Sequence, residues 1–240
     1  MQIPNLEGWT DTKKILVMLA HPDDPEFFLG GTIAHWTTDG HRVEYCLFTR
    51  GDKGVDKEAT DPNALKSKRE EEQRAAAKEL GVDSVEFLNY EDGYLTAEID
   101  ARKTAVAVIR RKKPDIVVTC DPQNYYHQGN RVNHPDHRAA GQIVIDAVFP
   151  AAGNPMFFPE LIDMGLESHK VAELWISAPY PANFVVDISA FWERRYKALL
   201  NHFSQIHDPE NFRTYLFSRR AADSTEESPR FEEHFRRIVF

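Results

Sequence analysis

Six consecutive apolar residues, Ile15-Leu-Val-Met-Leu-Ala20, end abruptly on His21-Pro-Asp-Asp-Pro-Glu26. An apolar run without alternation suits a strand buried on both faces, the situation in a parallel sheet covered by helices on both sides. The rest of the chain repeats the pattern. Val43–Thr49, Val85–Leu88 and Asp115–Cys120 read as three further strands. Between them lie segments with helical signals: Glu26 to Thr38, ended near Gly40; the charged Leu65–Leu80, with Gly81 placed to cap it; and Ile99–Arg111, stopped by Pro114. The cations Arg110 to Lys113 suit the negative end of that last helix. His137–Val148 is again amphipathic. A β-α-β-α order of this kind predicts an α/β fold with a mainly parallel sheet and helices on both faces.

Regularity weakens after Pro150. Ala151–Met164 reads as a loop, Glu173–Ser177 and Phe184–Asp187 as late strands, and Phe191–Phe203 as a helix. The polar stretch Ala221–Pro229 reads as exposed, and the tail Phe231–Phe240 as a short docking helix. The expectation is a single domain over residues 1–240, with a core at about 13–150 completed by a C-terminal cap region at about 151–240.

Charge narrows the class of partner. The net charge of −9 argues against a grip on nucleic-acid phosphates and against a polybasic membrane anchor. No apolar stretch approaches the ~20 residues that span a bilayer. Met1-Gln2-Ile3-Pro4-Asn5 lacks the start of a secretory signal, so a soluble cytoplasmic protein is expected. Cys46 and Cys120 each sit in an apolar run and read as buried thiols.

The chemistry-bearing residues follow the strands. His21-Pro-Asp-Asp24, Thr49-Arg50-Gly51-Asp52, Asp92-Gly93 and Asn133-His134-Pro-Asp-His137 each come after a predicted strand. In open parallel sheets ligands bind at the carboxyl ends of the strands, so these groups converge on one edge. Imidazole and carboxylate suit Zn²⁺, and a three-residue separation across a tight turn brings His21 and Asp24 around one point. A simpler reading makes Asp23 or Asp24 a helix cap. With Pro135 in the first helical turn, His134 and His137 lie one turn apart, and Asp136 either caps the helix or orients an imidazole. Arg50 presents a planar fork to substrate hydroxyls or carboxylates, or pairs with Asp52 or Glu91 on the surface. Histidines 35, 41, 127, 169, 202, 207 and 234 lack comparable surroundings. Gly30-Gly31 lacks the spacing of a dinucleotide fingerprint, which disfavours a nucleotide-dependent oxidoreductase; the pair suits close helix–sheet packing.

Taken together, His21-Pro-Asp-Asp24 with Glu26 and Gly30-Gly31-Thr32, Thr49-Arg50-Gly51, Asp92-Gly-x-Leu95 and His134-Pro-Asp-His137 resemble the PIG-L or LmbE-like family of zinc-dependent N-acetylglucosaminyl deacetylases. The resemblance spans roughly residues 14–145, and Lys197, His202 and Ser204-Gln205 extend it. It implies a Rossmann-like sheet. It also implies His21, Asp24 and His137 as ligands of Zn²⁺, with Fe²⁺ accepting the same set, and Asp23 as general base. His134 would stabilise the oxyanion or act as acid, and Arg50 and Asp92 would contact the substrate. The implied partner is a small N-acetylated amino sugar, and several relatives assemble as trimers or hexamers, which implies a homo-oligomer. Asp52, where a glutamate is common, and Val132, where some relatives carry a tyrosine, bear on substrate identity rather than on the metal. An amidase of larger sugar–thiol conjugates is one alternative. The other is a metal-dependent sugar-binding module without turnover, against which a base beside the metal argues.

Overall fold

The computed structural model describes residues 7–54, 61–127, 131–179 and 181–240; Met1–Asn5 and the side chain of His127 lie outside them. In chain order the first half comprises β1 (Lys14–Leu19), α1 (Asp24–Thr38), β2 (Arg42–Thr49), α2 (Pro62–Leu80), β3 (Ser84–Tyr90), α3 (Ile99–Lys112) and β4 (Ile116–Cys120). A two-stranded hairpin, β5 (Tyr126–His127) and β6 (Arg131–Val132), precedes α4 (Pro135–Asp146) and α5 (Pro159–Asp163). The chain closes with β7 (Glu173–Ser177), β8 (Phe184–Asp187), α6 (Trp192–Leu199), α7 (Pro209–Ser218) and β9 (Glu232–Val239).

Seven strands form one sheet in the order β3-β2-β1-β4-β7-β9-β8. All neighbours are parallel except β9, which runs antiparallel to both β7 and β8. The continuous apolar run of β1 has a direct cause in this layout. Ile15, Val17 and Leu19 enter one core layer, with Trp36, Trp175 and Trp192, and Leu16, Met18 and Ala20 enter the other, with Val106, Ile143 and Val144. The connections run outward from β1 to β2 and β3 on one side and from β4 to β7 on the other. The strand order therefore reverses between β1 and β4, where a crevice opens beyond their carboxyl ends.

Four departures from expectation matter. The tail expected as a docking helix is the strand β9. Glu232 and Glu233 stand four residues before Arg236 and Arg237, which imitates helical ion-pair spacing. In the fold Arg237 instead reaches across to Glu173 on β7, at 2.8 Å. The segment expected as a loop after Pro150 contains the short helix α5. Arg110, expected to complement a helix terminus, is buried and donates to the carbonyls of Ala151, Ala152, Asn154 and Phe157, tying that segment down. Gly30-Gly31 permits a close approach not to the sheet alone, where Glu233 of β9 meets Gly31, but also to α6 and to Ile188, which follows β8. A Cβ on Gly30 would stand 3.0 Å from Cγ of Arg195, and one on Gly31 would stand 2.6 Å from the Ile188 side chain.

Candidate metal centre

β1 ends beside a tight turn in which the Asp24 carboxylate accepts the His21 backbone N–H at 2.8 Å. Asp23 stands between them with φ of 84°, in the left-handed region that a residue with a side chain enters at a cost. Gln73 Oε1 accepts its N–H at 2.7 Å, and Arg69 donates to its carboxylate at 3.1 Å and to the Pro22 carbonyl at 2.8 Å. α4 begins with His134 as its N-cap and Pro135 in its first turn. His134 and His137 thus stand one turn apart.

His21, Asp24 and His137 meet. Nδ1 of His21 is 3.2 Å from Nε2 of His137, and Asp24 lies 3.5 Å from the former and 3.1 Å from the latter. The second nitrogen of each ring is engaged elsewhere. His21 Nε2 faces Asp92 at 3.1 Å and Asp136 at 3.2 Å; His137 Nδ1 faces the Asn133 side-chain oxygen at 2.9 Å. Rings whose outer N–H is donated in this way turn an unprotonated nitrogen towards the centre, the tautomer a metal needs. Two such lone pairs 3.2 Å apart beside a carboxylate are stable only with positive charge between them. Burial by itself would lower the His21 pKa, but the carboxylates of Asp136, Asp24 and Asp92 hold it well above the ordinary value. For Asp24, burial is outweighed by His137 and His21, and its carboxyl is held below the usual range. The ligand atoms of all three residues lie within 4.8 Å of one another, so this donor set fits a divalent cation of the Zn²⁺ or Fe²⁺ type. A second grouping, His21, His134 and Asp136, shares the same imidazole.

The three residues open onto a cavity of about 560 Å³, also lined by Asp23, Asp92, His134, Lys53 and Arg69. Burial raises the Asp23 carboxyl above the usual range, against the pull of Arg69 and His202. His134 Nδ1 accepts the Asp136 backbone N–H at 3.2 Å, leaving its proton on Nε2. Burial, with His21 and His137 close by, lowers its pKa and keeps the ring neutral. Asp92 is on the cavity wall as expected of a substrate contact, yet its second oxygen holds the Lys53 backbone N–H at 2.9 Å. Asp136 caps no helix. Its carboxylate accepts the N–H groups of Gly93 at 2.7 Å and Leu95 at 3.2 Å while meeting His21.

Arg50 is turned away. Its guanidinium pairs with Glu70 over the ring of Phe87, not with Asp52 or Glu91, and it does not line the cavity. Arg69 is the guanidinium in the site. The signal for it lay in α2, whose buried positions Leu65, Arg69, Glu72, Gln73, Ala76, Ala77 and Leu80 form one stripe. Three polar residues on an otherwise apolar stripe mark a face that meets something polar. His202, which only the family resemblance singled out in the sequence, is fully buried against Glu26 at 3.2 Å, and Glu26 in turn accepts from Gln73.

Residues 16–148 match the profile of the family described as GlcNAc-PI de-N-acetylase, PIG-L. The chain belongs to the PIG-L family. PIG-L proteins of this kind are deacetylases, hydrolases of a linear amide. The diacetylchitobiose deacetylase of Thermococcus kodakarensis is 36% identical over 199 residues, covering 83% of this chain and 72% of that one. The 1D-myo-inositol 2-acetamido-2-deoxy-alpha-D-glucopyranoside deacetylase of Streptomyces avermitilis is 32% identical over 177 residues, 62% of this chain but only 57% of its own length. Among solved structures, the N,N'-diacetylchitobiose deacetylase from Pyrococcus horikoshii, complexed with its inhibitor MPG, superposes with a TM-score of 0.87. Its identity is 29%, over 98% of this chain and 86% of that one. This PIG-L member has the mostly parallel α/β sheet of that solved structure. Among its described residues no helix is long and apolar enough to cross a membrane.

Proposed function

We propose that the protein removes the acetyl group from an N-acetylglucosamine-type amide, releasing acetate and a free amine. The observation that carries this is the convergence of His21, Asp24 and His137 beside a second carboxylate, Asp23, on one cavity wall. The three would hold the cation. When bound, it supplies a water whose pKa falls from ~15.7 towards roughly 7, and polarises the amide carbonyl.

The chain's own residues do the rest. Asp23, fixed by Gln73 and Arg69, accepts the proton of the attacking water. The His134 Nε2–H donates to the oxygen on which charge develops, a contact worth typically ~3–4 kcal/mol in the transition state. A neutral His134 is a weak acid, so Asp23 returns the proton to the departing nitrogen. Asp92 and Arg69 border the space for sugar hydroxyls, Arg69 in the part expected of Arg50.

Further readings accompany this one. The continuation of the seven-stranded sheet into β8 and β9 supports treating residues 1–240 as one domain. Two free, buried cysteines suit a reducing, cytoplasmic compartment, and the exposed, mutually stacked Phe149 and Phe240 suit self-association. A neighbouring cleft of about 640 Å³ shares Phe27, Phe28, His134 and His137 with the cavity, which favours substrates longer than one sugar, including larger amide conjugates.

The decisive experiment presents N-acetylated amino sugars and bulkier sugar amides to the enzyme and follows free amine and acetate. Release that stops with a chelator and returns with Zn²⁺ or Fe²⁺ is expected. Stoichiometric metal binding without turnover of any N-acetyl sugar, even in a single-turnover assay, would refute the reading in favour of a binding module.

A further inference from the structure

α1 is broken at Leu29, where φ of −150° and ψ of 24° leave the helical region. In an unbroken helix the Gly31 N–H would bond to the Phe27 carbonyl. Here both groups are taken by an outside ion pair. Arg195 of α6 donates to the carbonyls of Phe27 at 2.5 Å and Glu26 at 3.0 Å. Glu233 of β9 accepts the N–H groups of Gly31 at 3.0 Å and Thr32 at 2.8 Å. The two side chains are 3.4 Å apart, and that of Glu233 is 3% exposed. A carboxylate on opened N–H groups and a guanidinium on opened carbonyls match the charge at each side of the break. Gly30 and Gly31 leave the room: a side chain on Gly30 would meet Arg195 itself.

We infer that Arg195 and Glu233 are positioning residues for the metal centre, holding the first turn of α1 at the angle that aims Asp24. This rests on the reading of His21, Asp24 and His137 as ligands. The short turn before the break carries Asp24 and also Phe28, whose ring stands edge-on to His137 at 5.2 Å. Releasing the break therefore disturbs two of the three ligands together. It also gives the C-terminal strand a part in the site although β7 separates it from β4 in the sheet.

The test measures zinc affinity by competition with a chelating dye, and amide hydrogen exchange in the metal-free protein. Glu233→Gln keeps one acceptor and loses the charge. Zinc affinity is expected to weaken ~10–100-fold, the range for groups that orient ligands, and exchange to quicken at Gly31 and Thr32 while β1 stays protected. Arg237→Gln is the control, because it breaks another ion pair of β9, with Glu173 on β7, four residues along the strand from Glu233. It is expected to lower the melting temperature and leave zinc affinity unchanged. Should Glu233→Gln fail to fold, Arg195→Lys, which keeps the charge but not the fork, is expected to weaken zinc binding in the same way. Unchanged zinc affinity in a folded variant with faster exchange, or equal weakening by Arg237→Gln, overturns the inference while leaving the metal reading intact. A wild-type chain that takes up no zinc overturns both.

Discussion

Gln73 accepts the backbone N–H of Asp23 at 2.7 Å and with its amide nitrogen donates to both carboxylate oxygens of Glu26, 3.0 Å away. A left-handed Asp23 costs on the order of 1–3 kcal/mol, and the buried amide is one of the contacts that hold it there. Gln73→Leu is therefore expected to lower kcat about tenfold with metal content unchanged, since Asp24 keeps its own bond to His21. Metal analysis beside steady-state kinetics checks this.

Asp23→Ala should separate chemistry from binding more sharply. The variant is expected to retain zinc and to lose at least ~100-fold in rate, the lower end for acid–base catalysis. If zinc content falls in step with activity, Asp23 is not the base.

His137→Ala removes one of two imidazoles from the centre and should abolish zinc binding. Asp136→Asn should be milder, because Asp92 still faces His21 Nε2, and a loss of ~10-fold in zinc affinity is expected. Stoichiometric zinc in His137→Ala would take His137 out of the ligand set.

What could be read from the residue order was whatever local geometry decides. The run Ile15–Ala20 is apolar because both faces of β1 are covered. The pairs His21/Asp24 and His134/His137 were legible because Pro22 and Pro135 constrain short turns after strands. Arg69 was not, because its value depends on which way α2 packs: the same charged helix rotated by half a turn would send it to solvent. Arg50 misled for the converse reason. It follows a strand, yet Glu70 on the adjacent helix captures it. β9 and the break in α1 are tertiary facts. Nothing local in Glu232–Val239 says that it will pass between two strands, and Gly30-Gly31 shows only that something comes close, not what.

The two arginines can be told apart by kinetics. Arg69→Lys should cut kcat/KM at least ~10-fold, because a single ammonium cannot serve Asp23, Pro22 and Gly51 together. Arg50→Gln loses a partly exposed ion pair worth ~0–1 kcal/mol and should leave kcat/KM within about threefold of wild type. The reverse ranking, measured on one N-acetylated sugar, would return the substrate contact to Arg50.

Glu173 makes the acid limb of the stability curve testable without touching the site. Burial alone would raise its pKa, but Arg237, Trp175 and Trp9 all donate to its carboxylate and hold it below the ordinary value. A carboxyl depressed in the folded state adds stability above its unfolded pKa of about 4.3, and that stability is lost as pH falls through the folded value. Glu173→Gln is therefore expected to cost about 2 kcal/mol at pH 7, typical of hydrogen bonds to a charged group. The gap between the variant and the wild type should then narrow as pH drops below about 4.3. Melting temperatures of both proteins from pH 7 to pH 3 give the difference directly, and because other carboxylates titrate in both, only the difference is read. A gap that stays constant, or widens, towards acid would mean that the Glu173 charge does not hold β9 against β7.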